Sequence, residues 1–182
     1  EPFERQLKDL EGSGYWLIAK KNDRVVGSLA MSTNTYSLIK RNNLILLDSA
    51  LKTIREFKKK DIDFLVLKGL YFAFSTYPHA GLRPMVDIDL LVKREDLNKI
   101  DGVLSGLGYA EVSPKLQRVY GCDATFYSKK RGSIDIHWDL CQYERFKGII
   151  DITPDFWSRA SEFSLDGISA KTLSIEDHIL YV

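Results

Sequence analysis

The chain has 182 residues, a formal net charge of +1, 45% hydrophobic and 28% charged residues, and two cysteines. That length allows one substantial domain, or one domain with a smaller appendage, and the near-neutral charge excludes a strong global field drawing the protein to nucleic acid or membrane. No apolar run approaches the roughly 20 residues that cross a bilayer, no signal-peptide pattern is present, and Cys122 and Cys141 form neither a CxxC pair nor a metal cluster, so a soluble cytoplasmic protein with reduced thiols is expected.

In chain order, residues 1–60 read as a helical amino-terminal segment. Phe3, Leu7 and Leu10 have helical spacing, broken by Gly12, Ser13 and Gly14. The apolar clusters of YWLIAKKNDRVVGSLA fit either a hairpin or two helical turns, with helix the preferred reading. From Thr33 onward, Leu38, Leu44, Leu47, Leu51, Ile54 and Phe57 recur at helical steps, and Lys58, Lys59 and Lys60 suit the negative end of a helix macrodipole. A solvated helix end accounts for these lysines more simply than a nucleic-acid patch.

The run DFLVLKGL has strand length and a continuous apolar core, Phe64 to Leu67, as expected of a strand buried on both faces. Gly69 ends it, and LYFAFSTY has the spacing of a short helix closed by Pro78. A strand, a glycine and a helix start make a ready anion site, with free backbone N–H groups and the helix dipole aimed at it. Lys68 adds a positive charge. Arg83, held extended by Pro84, can grip a phosphate bidentately or pair with a nearby aspartate.

Residues 82–92, LRPMVDIDLLV, carry the most informative pattern. In a strand Asp87 and Asp89 share one face while Ile88, Leu90 and Val92 line the other. Two carboxylates about 4 Å apart repel by about 4 kcal/mol at an effective dielectric of roughly 20, a cost that a cation removes. Hard divalent ions take carboxylate and phosphate oxygens together, so the pattern is a candidate metal site for phosphate chemistry. Next, REDLNKIDGVLSGLGY reads as a helix closed by Gly108, followed by strands near residues 109–112 and 124–128. SIDIHWDL repeats the alternation: Ile134, Ile136 and Trp138 on one face, Asp135, His137 and Asp139 on the other. If the two acidic strands are neighbours, Asp135 completes a three-carboxylate cluster, with Asp139 the alternative third ligand. His137 can contact nucleotide or substrate, or serve as a structural hydrogen-bonding group. A short helix near residues 154–160, a hairpin around Asp166 and Gly167, and a helix capped by Ser174 complete the chain, which looks cut from something longer at both ends.

The segments LKG, GLRPMVDIDLLV and IDIHW occur in the order used by the DNA polymerase beta-like nucleotidyltransferases. More closely, residues 67–92, the Gly108-Tyr109 helix exit, IDIHW and SIEDHILYV resemble an uncharacterised bacterial and archaeal nucleotidyltransferase family with LKG and RPMxDIDLLV signatures. The resemblance implies an α+β fold with a mixed sheet, whose nucleotidyltransferase domain spans residues 61–182, beside the helical amino-terminal segment. It also implies Asp87 and Asp89 as Mg²⁺ ligands, Asp135 as the third acid that orients or deprotonates the acceptor hydroxyl, and Lys68 with Gly69 at the triphosphate. The mechanism that fits has two Mg²⁺ ions, with Mn²⁺ as a substitute, held by Asp87, Asp89 and Asp135, and the residue pattern adds Arg83 and His137 as candidates at the nucleotide. Two departures stand out: Leu70 occupies a position usually serine or glycine, and the interval from Gly69 to Asp87 is long. The implied partners are a nucleoside triphosphate and a hydroxyl acceptor that is a small molecule, a transfer RNA or a protein, the latter two in a toxin-like transferase. The alternative is a binding module on the same scaffold that catalyses nothing.

Overall fold

The computed structural model describes residues 4–9, 14–21, 24–79, 81–140 and 153–181. The expected break at residues 12 and 13, the residues 22 and 23, and Cys141 lie outside them. Three strands, β1 (Glu4–Asp9), β2 (Gly14–Lys21) and β3 (Arg24–Ser32), form an antiparallel meander in the order β1-β2-β3. This corrects the helical reading over residues 4–9 and of the following segment; Phe3 and Leu10 of the expected stripe lie outside the described residues. Three apolar points over ten residues are too few to specify a helix, whereas Tyr15, Trp16 and Ile18 of β2 and Val25 and Val26 of β3 are aromatic or β-branched residues that favour strands. Lys21 pairs with Arg24 and Gly14 with Ser32, so the two segments form the hairpin that the sequence left as the second choice.

Helix α1 (Thr33–Lys59) begins at Ser32, whose Oγ accepts a hydrogen bond from the Thr35 backbone N–H at 3.2 Å. Its inward face presents Leu46, Leu47, Ala50, Leu51, Ile54 and Phe57. Leu38 and Leu44, expected on that stripe, are exposed instead. Two of the three terminal lysines have partners within the chain: Lys58 donates to the Ser169 carbonyl and Lys59 pairs with Glu56.

Strands β4 (Phe64–Val66), β5 (Asp87–Val92), β6 (Ala110–Glu111), β7 (Asp123–Ser128), β8 (Gly132–His137), β9 (Ser161–Leu165) and β10 (Ile168–Thr172) form one mixed sheet ordered β6-β7-β8-β5-β4-β10-β9. Helix α2 (Lys68–Ser75) follows β4, and a 3₁₀ turn (Arg94–Asp96) leads from β5 into α3 (Leu97–Gly106). Gly108, at φ 83°, closes α3 as expected, with its N–H and that of Tyr109 donating to the carbonyls of Ser105 and Leu104. The remaining helices are α4 (Gln117–Tyr120), α5 (Thr153–Ser158) and α6 (Ile175–Tyr181).

The sheet has two unlike faces because its strands alternate. Ile88, Leu90 and Val92 of β5 and Ile134 and Ile136 of β8 pack with α1 and with Ile100 and Leu104 of α3 in the main core. The opposite face carries the acids and, beyond them, a smaller cluster of Leu65, Leu67, Leu91, Leu140, Phe156 and Leu173. That second cluster matters for the site, because it makes the inner end of the acidic face dry. Among the described residues, no helix is long and apolar enough to cross a membrane.

Candidate active site

Strands β5 and β8 run parallel and adjacent, with Asp87 opposite Ser133, Asp89 opposite Asp135 and Leu91 opposite His137. The registered partners therefore put Asp89 and Asp135 side by side on one face. Oxygens of these two carboxylates and a nitrogen of His137 all lie within 4.8 Å of one another. Asp87 lies outside this tight group, two residues nearer the start of β5 on the same face. It still feels both neighbours: burial first, then the Asp89 and Asp135 charges, push its carboxyl up to about 6, against the pull of Lys68 and His137. Asp135 is also held above the usual carboxylate range, chiefly by burial and secondarily by the Asp89 charge, with the Thr125 hydroxyl acting in the opposite direction.

Strand β7 supplies neighbours that the sequence reading missed. It pairs antiparallel with β8, setting Thr125 opposite Asp135 and Asp123 opposite His137. The Asp123-x-Thr125 alternation carried the same two-residue rhythm as the acidic strands and could have flagged them. His137 is buried at 3% exposure, and its Nε2 lies 3.0 Å from Asp89 Oδ1.

The phosphate side is assembled from the start of α2 and the loop before β5. Strand β4 ends at Val66, one residue earlier than expected, so Gly69 lies inside the first turn of α2 and Leu67 takes the cap position with no side-chain hydrogen bond. Lys68 has φ 34°, a left-handed conformation that costs a residue with a Cβ about 1–2 kcal/mol. A Cβ built on Gly69 would lie 3.5 Å from Met85 Cγ and 3.7 Å from Arg83 Nη1, so the Arg83 guanidinium stands over that glycine. The guanidinium also lies 5.7 Å from the Phe72 ring centroid. Among the described residues Arg83 has no carboxylate partner, so the ion-pair alternative is not the one adopted.

Asn43, fully buried on α1, holds this loop in place. Its Nδ2 donates to the Arg83 carbonyl at 2.7 Å, and its Oδ1 accepts from the Met85 N–H at 3.2 Å. Neighbouring Asn42 donates to the Met85 carbonyl at 2.7 Å. Two asparagines inside an apolar helical stripe were the sequence signal for this contact.

The donor set suits a hard divalent cation. Asp135 Oδ1 is buried with no hydrogen-bond partner among the described residues, and such an atom costs free energy unless something charged or polar meets it. Grouped with the Asp135 carboxylate are an Asp89 carboxylate oxygen, a ligand type of Mg²⁺ and Mn²⁺, and a His137 nitrogen.

Comparison with known proteins agrees with this architecture. The chain is similar in fold to the lincosamide antibiotic adenylyltransferase LnuA in its lincomycin-bound form (TM-score 0.53, 14% identity, 74% of this chain and 84% of that one). It is similar to the antibiotic-resistance factor ANT(2'')-Ia (TM-score 0.51, 17% identity, 73% and 67%). It also resembles TM1012 of Thermotoga maritima, assigned as a nucleotidyltransferase (TM-score 0.52, 15% identity, 82% and 84%). At these identities the likeness is one of fold. A comparison with curated proteins returns no match. The family described as "Uncharacterised nucleotidyltransferase" matches residues 15–182, a span that takes in the Gly69 turn, both acidic strands and α6. Fold and sequence thus converge, and the chain belongs to this uncharacterised nucleotidyltransferase family.

Proposed function

We propose that this protein transfers a nucleoside monophosphate from a nucleoside triphosphate to a hydroxyl acceptor, with release of pyrophosphate and dependence on Mg²⁺ or Mn²⁺. The observation that carries the reading is the registered Asp89–Asp135 pair, with Asp87 two residues away and the α2 start nearby. Asp87, Asp89 and Asp135 would hold the cation. Bound there, the cation supplies positive charge that polarises the α-phosphate and offsets charge on the leaving oxygens. Lys68, the α2 backbone N–H groups at Gly69 and the Arg83 guanidinium bind the triphosphate and stabilise the departing pyrophosphate. Asp135 orients the acceptor hydroxyl and takes its proton as the new oxygen–phosphorus bond forms and the bond to pyrophosphate breaks. A carboxyl held above its usual range is better suited to accept that proton than an ordinary aspartate.

A thermal-shift screen of the four nucleoside triphosphates, with and without Mg²⁺, tests the proposal. A ligand at a hundredfold excess over its dissociation constant adds about 2.7 kcal/mol of stability. Mg²⁺-dependent stabilisation by at least one triphosphate is expected, lost in Asp89→Asn and Asp135→Asn. No stabilisation by any of the four overturns the reading.

A further inference from the structure

We infer that His137 is a positioning residue that fixes the Asp89 carboxylate from behind and is itself neither a cation ligand nor a nucleotide contact; the inference rests on the proposed metal-dependent site. Ordered inward along β5 and β8, the acidic face presents Asp87 with Ser133, then Asp89 with Asp135, then Leu91 with His137. His137 thus lies one step deeper than the acid pair, at the level of Leu91, which belongs to the apolar cluster with Leu65 and Phe156. At 3% exposure it has no surface to offer a nucleotide.

The proton assignment follows from the partners. An aspartate carboxylate can only accept, so the 3.0 Å contact between His137 Nε2 and Asp89 Oδ1 requires the proton on Nε2. A nitrogen carrying that proton has no lone pair for a cation. His137 therefore occupies Oδ1 of Asp89, sets the carboxylate's rotation and leaves Oδ2 to the ion. A histidine whose N–H orients a ligating carboxylate stands in the outer shell of a metal site, where loss of such a partner costs roughly 10- to 100-fold in metal affinity. The sequence places this histidine two residues after Asp135, and the parallel register brings it to Asp89 on the neighbouring strand.

Mn²⁺ binding to the untagged full chain tests this. Pulsed electron paramagnetic resonance of the wild-type Mn²⁺ complex is expected to show no directly bound ¹⁴N. His137→Phe, which keeps the ring volume but not the donor, should bind Mn²⁺ roughly 10- to 100-fold more weakly. His137→Gln, whose amide N–H can still reach Asp89, should recover most of that loss, with circular dichroism confirming the fold of both. A directly coordinated ¹⁴N in the wild type, wild-type affinity in the Phe variant, or no recovery by Gln overturns the inference. The wild-type spectrum decides even if the Phe variant does not fold. Failure of the wild type to bind Mn²⁺ at all would instead sink the metal-dependent function beneath it, so the two failures are distinguishable.

Discussion

Asp89 and Asp135 are direct register partners on two parallel strands, so the carboxylates are set side by side by backbone pairing and not by any flexible loop. A sheet that places like charges together stores electrostatic cost until a cation arrives. Burial first, and the Asp89 and Asp135 charges after it, push the Asp87 carboxyl up to about 6. Removing its charge should therefore stabilise the metal-free protein while ending its function. For Asp87→Asn we expect a gain of about 1–2 kcal/mol at pH 7.5 in chelator, after allowing for solvent screening at a half-buried group, with loss of nucleotidyl transfer. The sign of the pH effect follows. The folded state binds this proton more readily than the unfolded chain, so wild type gains stability relative to Asp87→Asn as pH falls from about 7 through 6 toward 4. Urea denaturation of both proteins across that range measures the difference.

Gly69 separates a packing role from a phosphate role. Its missing Cβ would meet Met85 and Arg83 at 3.5 and 3.7 Å, ordinary van der Waals distances, so Gly69→Ala should fold with a melting temperature close to wild type. The added methyl points at the Arg83 guanidinium, where the triphosphate is proposed to pass. We expect the Ala variant to lose about tenfold in triphosphate affinity by calorimetry, about 1.4 kcal/mol. Arg83→Lys, which keeps charge but loses the planar fork, should lose a comparable amount. Unchanged affinity in both would remove this turn from the nucleotide site.

The local patterns were legible where one strand face was buried and the other was not. DIDLLV and SIDIH each announced their two faces, and the structure puts Ile88, Leu90, Ile134 and Ile136 in the main core as the alternation required. Pairing between strands was not legible in the same way. That Asp135 is registered with Asp89 depends on a contact 46 residues apart, which no local period encodes. The same holds for His137 and Asp89, and for Asn43 gripping the Arg83–Met85 backbone from a helix 40 residues upstream. The amino-terminal meander is hidden in the sequence for a different reason: short apolar clusters carry no clear period, and strand propensity and cross-strand pairing decide between hairpin and helix. The closing helix was recognised by its cap, with Asp177 N–H donating to Ser174 Oγ at 3.1 Å, but its purpose emerged only in three dimensions. His178 of α6 stacks on Tyr71 of α2, so the last helix braces the first turn of the proposed phosphate site.

Gly81 tests how the loop before β5 is held. A Cβ there would lie 2.5 Å from Tyr36 Cε2 and 2.7 Å from Cδ2, and Tyr36 is a buried ring with little room to move. Gly81→Ala should force the ring or the loop aside at a cost of about 1–3 kcal/mol. Because the same loop leads to Arg83, held by Asn43, the displacement should also weaken triphosphate binding. A double variant with Tyr36→Ala should recover stability relative to the sum of the single changes, since the clash is gone. Strict additivity would show that the glycine serves another purpose.

His178 gives the fold a pH dependence independent of the acidic site. It is buried, stacked parallel to Tyr71 at 4.8 Å, and its Nε2 lies 2.9 Å from Thr172 Oγ1. The Thr172 hydroxyl already donates its proton to the Val66 carbonyl at 2.6 Å, so it must accept from His178 Nε2. Nδ1 is buried with no partner among the described residues, so a second proton on the ring would have no acceptor. Burial accordingly holds the His178 pKa below its usual value, against the attraction of Asp177. A base with a lowered folded pKa binds fewer protons than it does in the unfolded chain once pH drops below about 6.5, so its contribution to stability is lost as pH falls through that window. His178→Phe keeps the ring stack and removes the titration. At pH 8 the variant should be less stable by about 1 kcal/mol for the lost hydrogen bond, and the deficit should shrink or reverse as pH is lowered to 5. Parallel urea-unfolding curves at all pH values would show that His178 does not titrate differently in the folded state.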